Sequence, residues 1–213
     1  MQRLLPDMRI GLDFDNTIVS YDALFHAVAV EKLLVPAETP VSKVEVRDYL
    51  RAIGNEPAWT ELQGYVYGAR MEQAEAYSGF FEFVRAARAN NVELVIVSHK
   101  TKHPFLGPQY DLHAAAGGWI AAALRDDDVA FFPDGRVFFE LTKEAKIARI
   151  AACGCDYFVD DLPEILQMPG FPAETGRLLF DPEQSHGGDG MTARFGSWHE
   201  IRNFFEQKWL AQN

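Results

Sequence analysis

Apolar residues fall along this chain in two alternating rhythms. Short unbroken runs come in one: MRIGLDFD gives way at Asp13 and Asp15, NVELVIVSHK at Ser98 and CDYFVDD at Asp160 and Asp161, and GRLLFDP repeats the pattern. Runs of this length, ending in polar residues on their C-terminal side, predict buried strands. The other rhythm is helical. GFFEFVRAARAN places Phe80, Phe81, Phe83, Val84 and Ala87 on one face, and TKEAKIARIAAC does the same with Ala145, Ile147, Ala148 and Ile150. A further strand, RVFFE, follows the turn FPDGR and leads through Leu141 and Thr142 into the helix carrying Lys143. Strand and helix alternate, which predicts an α/β fold with a mostly parallel sheet.

From about residue 20 to 78 the alternation breaks. Helical patterns (YDALFHAVAVEKLL, SKVEVRDYLRAI, WTELQGYVYGARMEQAEAY) succeed one another, separated by Pro36, Pro40 and Pro57. The reading is a core made of residues 1–19 and 79–213, with a small α-helical insert over 20–78 after the first strand. HPFLGPQYDLH reads as an ordered loop at the crevice mouth and RDDDVAFF as a brief acidic turn. Ser185 to Gly196 reads as a flexible loop before the C-terminal helix SWHEIRNFFEQKWL. A length of 213 residues, 48% hydrophobic, suits one core with an elaboration rather than two full domains.

Charge narrows the partners. Lys and Arg total 20 against 31 Asp and Glu, a formal charge of −11, so a nucleic-acid backbone would be repelled. Small anions can still bind where the local field differs from the net one. Cys153 and Cys155 lack a second pair or His cluster that would complete a metal site, and read as reduced thiols. The N-terminal stretch lacks the apolar segment of a signal peptide, and no apolar run approaches the ~20 residues that span a bilayer. The expectation is a cytoplasmic protein without a membrane segment; oligomeric state is left open.

In open parallel sheets the ligand crevice lies outside the carboxyl ends of the strands, so Asp13, Asp15, Ser98, Asp160 and Asp161 should converge. Crowded carboxylates repel one another. A divalent cation with hard oxygen ligands, Mg²⁺ above all, turns that repulsion into shared attraction. Carboxylates with Mg²⁺, a hydroxyl at Ser98 and a cation at Lys143 have the chemistry for phosphoryl transfer.

These residues also resemble the haloacid dehalogenase (HAD) superfamily. DFDNT, Asp13 to Thr17, matches its DxDxT motif; Ser98 after VELVIV, Lys143, and YFVDD, Tyr157 to Asp161, are similar to its second, third and fourth motifs, in order. The likeness covers roughly residues 8–20 and 80–181, with the insert where C1-type helical caps occur. It implies a Rossmann-like three-layer core. By this resemblance Asp13 is a nucleophile that forms an aspartyl-phosphate, and Asp15 is the general acid and base. Asp13, the Asp15 backbone carbonyl and Asp161 hold Mg²⁺, Ser98 binds a phosphoryl oxygen and Lys143 neutralises charge. Lys146, one turn further, is the alternative to Lys143, which is favoured because Thr142 can cap the helix. Asp161 is favoured as the direct ligand, with Asp160 beside it and Glu164 as a further orienting acid.

The implied activity is hydrolysis of a small phosphorylated metabolite, a nucleotide or sugar phosphate. A 2-haloacid dehalogenase is the alternative, but a departing halide needs no proton and leaves Asp15 without a task. A non-catalytic phosphate-ligand-binding module on the same fold is the other. A phosphonatase would need an insert lysine, Lys32 or Lys43. Candidate substrate contacts are Asn16, Thr17, His99, Lys100 and Arg70. SHKTKH could hold a second anionic group through His99, Lys100, Lys102 and His103, while Trp59, Tyr65 and Tyr67 read first as the insert's own small core.

Overall fold

The computed structural model describes residues 8–187 and 192–212. The first half of the chain runs β1 (Arg9–Leu12), β2 (Val19–Ser20), α1 (Asp22–Glu31), α2 (Lys43–Ala52), α3 (Glu56–Tyr67), β3 (Glu75–Ala76), α4 (Phe80–Ala89) and β4 (Glu93–His99). It continues through α5 (Leu112–Ala123), β5 (Arg125–Asp126), β6 (Val129–Ala130), β7 (Val137–Glu140) and α6 (Lys143–Cys153). The last elements are β8 (Tyr157–Asp160), α7 (Pro163–Leu166), β9 (Gly176–Phe180), β10 (Ala193–Phe195) and α8 (Trp198–Gln212).

Two compact units result. Among the described residues, one comprises 8–18, 76–99, 124–187 and 192–212; the other comprises 19–75 and 100–123. In the first, six strands of the described chain form one sheet in the order β10-β9-β8-β1-β4-β7, every adjacent pair parallel. The chain moves outward from β1 through β4 to β7, then returns to the other side of β1 with β8. This is an α/β Rossmann-like order, and β1 marks the point where it reverses.

Each face of the sheet is covered because parallel strands with apolar side chains on both sides must be. On one face Val95, Val97 and Phe158 pack with Ile147 and Ile150 of α6, and with Ile165, Leu166 and Phe171. On the other, Phe80 and Phe83 of α4 meet Trp198 at 4.9 Å between ring centroids, and Phe180 meets it at 5.5 Å. Full burial of such side chains contributes roughly 1.5–3 kcal/mol each. Gly11 leaves room for side chains from the β8 side: a Cβ there would stand 2.4 Å from Phe158 Cδ2 and 2.8 Å from Cys155 Sγ.

The second unit is mostly helical. Leu24, Phe25 and Val28 of α1, Val46 and Leu50 of α2, and Trp59, Leu62 and Val66 of α3 form its core. Ser42 caps α2 by accepting from the N–H groups of Val44 and Glu45. α5 joins through Trp119, whose indole N–H donates to the Ala74 carbonyl at 2.9 Å. The loop before it packs on α3, with Pro104 against Gly64 and Tyr110 against Gly68, and is closed by the Leu112 N–H on the Lys102 carbonyl.

Three local expectations change. The third helical pattern of the insert ends at Tyr67, and a 3-10 turn at Met71–Gln73 and the short strand β3 take its place. The acidic turn is a small antiparallel hairpin, β5 with β6, with Asp127 at φ 47°. Of the loop expected over Ser185 to Gly196, residues 188–191 lie outside the described residues, and Ala193–Phe195 forms edge strand β10 against Leu178–Phe180.

Candidate active site

Backbone register brings the polar strand ends together. Leu12 is opposite both Ile96 and Val159, and the Asp13 N–H continues the ladder to the Val159 carbonyl at 2.9 Å. Asp13 therefore leaves the sheet level with Asp160, and Ser98 sits one residue further along β4. The chain then turns. Asn16 adopts φ 57°, a left-handed conformation that asparagine tolerates, and the Ile18 N–H closes the turn on the Phe14 carbonyl at 3.0 Å. The carbonyl of Thr17 accepts the indole N–H of Trp198 at 2.9 Å.

Asp13 is 5% exposed and held from two sides. Ser98 Oγ donates to its Oδ1 at 2.9 Å, and Lys146 Nζ donates to the same oxygen at 2.6 Å. Lys146 also donates to Asp160 Oδ2 at 2.6 Å and lies 5.6 Å from the Phe158 ring. A buried ammonium survives only when paired. Burial by itself would lower the Lys146 pKa, but the carboxylates of Asp13 and Asp160 outweigh it and hold the ammonium above its ordinary range. Burial pushes Asp160 above the usual carboxylate range; Lys146 opposes this and Asp13 adds to it.

Thr17 Oγ1 stands between two acids, 3.4 Å from Asp13 Oδ2 and 3.5 Å from Asp161 Oδ1. One carboxylate oxygen from each of Asp13, Asp160 and Asp161 lies within 4.8 Å of the other two. Such a set of hard oxygens fits a divalent cation of the Mg²⁺ kind. Within it the acids differ. Asp160 already gives one oxygen to Lys146 and the other to the Leu162 N–H at 3.0 Å, which leaves Asp13 Oδ2 and Asp161 as the pair best placed to hold a metal.

The favoured lysine stands elsewhere. Thr142 does cap α6, accepting from the Ala145 N–H at 3.1 Å, but Lys143 points to Glu164 at 2.5 Å on the surface. It is Lys146, one turn into the helix beside Ile147, that reaches Asp13. Glu164 likewise pairs with Lys143 rather than turning to the carboxylate cluster. Asp15 is half-buried and engaged, two residues beyond Asp13. Thr17 is fully buried, Asn16 is the turn residue, and His99 ends β4 opposite Glu140.

The other candidates belong to the second unit. Lys100 is buried with its Nζ 4.8 Å from the Tyr67 ring, and Lys43 lies 5.6 Å from the rings of Tyr67 and Phe25. Lys32 sits 3.8 Å over Tyr65. Arg70 spends its fork on both Glu31 oxygens and on Gln73. Trp59 is core, tilted against Phe25 at 5.2 Å. Trp198 carries no signal of its role in the sequence, since nothing local distinguishes an indole that caps a strand-end turn 181 residues away from an ordinary core tryptophan.

No protein-family model and no curated protein sequence matches the chain. Solved structures do share its fold. A HAD family hydrolase from Deinococcus radiodurans R1, with bound phosphate and sodium, superposes with a TM-score of 0.53 at 16% identity, covering 95% of this chain and 96% of that one. A predicted phosphoglycolate phosphatase from Haemophilus somnus 129PT gives 0.52 at 14%, covering 95% and 99%. A dehalogenase gives 0.54 at 11%, covering 93% and 96%. The chain thus shares the fold of these proteins over nearly its whole length.

Proposed function

We propose that the chain is a Mg²⁺-dependent phosphomonoester hydrolase acting on a small phosphorylated metabolite. The observation that carries this reading is Asp13, a buried carboxylate clamped between the Ser98 hydroxyl and the Lys146 ammonium, with Asp161 in reach of a shared cation. Asp13 attacks phosphorus and forms an aspartyl-phosphate, which water then hydrolyses. Asp15 protonates the departing alkoxide and afterwards takes a proton from the attacking water. Ser98 donates to a phosphoryl oxygen. Lys146, kept charged by its two acids, balances negative charge on Asp13 and the phosphoryl group. Asp13 and Asp161 hold Mg²⁺, with Asp160 fixing the lysine. When bound, the metal neutralises charge on the phosphoryl oxygens.

Proton donation by Asp15 separates this reading from dehalogenation, where the leaving halide needs none. The phosphate in the Deinococcus neighbour and the naming of the Haemophilus one as a phosphoglycolate phosphatase support a small phosphate ester as substrate. The deciding experiment is hydrolysis of an activated aryl phosphate with and without Mg²⁺, comparing the intact chain with Asp13→Asn. Metal-dependent turnover that disappears in the variant supports the mechanism. Turnover that survives Asp13→Asn removes the nucleophile assignment, and halide release from a 2-haloacid without added metal would replace the phosphatase reading altogether.

A further inference from the structure

The turn that carries the acids is anchored from the far end of the chain. Trp198, the first residue of α8, is completely buried, and its indole N–H donates to the Thr17 carbonyl at 2.9 Å. Thr17 is also completely buried, and its hydroxyl is the one that stands between Asp13 Oδ2 and Asp161 Oδ1. The ring itself cannot swing away. Phe80 and Phe83 of α4 and Phe180 of β9 pack around it, with centroids at 4.9, 4.9 and 5.5 Å. From these contacts we infer that Trp198 is a positioning residue: by holding the Thr17 carbonyl it sets where the Thr17 hydroxyl lies, and with it the spacing of Asp13 and Asp161.

The physical basis is the asymmetry of buried hydrogen bonds. Once the donor is removed, the Thr17 carbonyl has lost its indole partner inside the protein, and the turn gains by moving to find another. Movement of one ångström in a reacting group is enough to cost a large factor in rate. The inference rests on the phosphatase reading for its kinetic consequence, and on the geometry alone for its effect on the turn.

The test uses the full chain with Trp198→Phe, which keeps an aromatic ring and deletes the donor. Its companion is 3-benzothienylalanine at position 198, which has the indole's shape without the N–H. Phe205→Leu, two turns further along the same helix and against Phe83 and Tyr157, is the packing control, since it disturbs the same aromatic cluster and leaves the indole N–H in place. Hydrogen exchange by mass spectrometry is read over peptides spanning residues 13–18, and aryl phosphate kinetics are read with Mg²⁺. Both Trp198 variants are expected to speed exchange across 13–18 by about tenfold or more and to lower kcat by about tenfold, with KM within about twofold. Phe205→Leu should lower the melting temperature at least as much while leaving exchange at 13–18 and kcat near wild type. Unchanged exchange in the benzothienyl variant, or an equal effect from Phe205→Leu, overturns the inference. If the wild-type chain shows no turnover, the phosphatase reading fails, and the exchange measurement still decides the role of Trp198.

Discussion

Lys146 shows how one side chain can be demanded by its neighbours. Asp13 and Asp160 both give it an oxygen at 2.6 Å, and none of the three is more than 5% exposed. Replacing it with methionine keeps the length and leaves two buried carboxylates facing each other. Breaking a buried pair by removing one partner costs about 3–5 kcal/mol, so urea unfolding of Lys146→Met should show a loss of that order. Turnover of the same variant should fall by about 10²–10³, the scale of losing one preorganised charge partner. Lys143→Met is the contrast. Its ion pair with Glu164 is exposed, and such pairs contribute about 0–1 kcal/mol, so stability and rate should stay near wild type. Equal effects from the two substitutions would contradict the placement of Lys146.

The pair also marks how far a sequence can be read. Asp13, Ser98 and Asp160 were legible because strand ends in a parallel sheet share one edge, and a strand end is visible as the place where an apolar run stops. The start of α6 was legible from Thr142. Which lysine turns inward was not, because positions 143, 146, 147 and 150 share one helical stripe. Only the height of the helix against the strand ends separates 143 from 146, and that is a matter of tertiary packing.

At the scale of elements, the pairing of β1 with β8 brings Asp13 level with Asp160, and the missing side chain at Gly11 leaves room beside it for the Phe158 ring and the Cys155 thiol. Gly11→Ala would put a methyl against the Phe158 ring and the Cys155 thiol at distances that force these buried side chains to move. Overpacking of this kind costs about 1–3 kcal/mol, and displacement of Phe158, two residues before Asp160 in β8, should also lower kcat. Chemical denaturation and aryl phosphate turnover measured on the same preparation check it.

The β9 end offers a pH-dependent counterpart. Burial would raise the carboxyl of Asp181, but the N–H groups of His186 and Ser185, with Arg194, hold it below the usual carboxylate range. A folded pKa below the unfolded one gives stability that is present above the unfolded value and lost as pH falls through the folded value. Asp181→Asn should therefore cost stability at pH 7, on the order of 1.5–3 kcal/mol for hydrogen bonds to a charged group. The gap between variant and wild type should close as the solution is acidified through that window. Urea midpoints at neutral, mildly acidic and strongly acidic pH would show it, and a gap constant across all three would refute it.

The same scale explains α5 and its approach loop. Leu112–Ala123 is rich in alanine and glycine and has little amphipathic pattern, so its packing is not written locally. It is fixed by long-range contacts such as Trp119 to Ala74.

For the whole molecule the governing quantity is the charge of −11, part of which is concentrated where Asp13, Asp160 and Asp161 meet. Clustered acids destabilise the folded chain by mutual repulsion, and a cation that binds only the folded form reverses this by mass action. At a Mg²⁺ concentration one hundred times its dissociation constant the gain is about 2.7 kcal/mol. For a chain of this size that corresponds to a rise of roughly 5–10 °C in melting temperature. Screening of the overall charge would also raise the melting temperature, so the comparison must be made against NaCl at equal ionic strength, where ions act through distance and not through a site. The expected result is a saturating rise with Mg²⁺ that NaCl does not reproduce and that Asp161→Asn largely abolishes. A rise that tracks ionic strength alone, or one unchanged by Asp161→Asn, would mean that the three carboxylates are not a metal site and that their crowding is relieved by Lys146 alone.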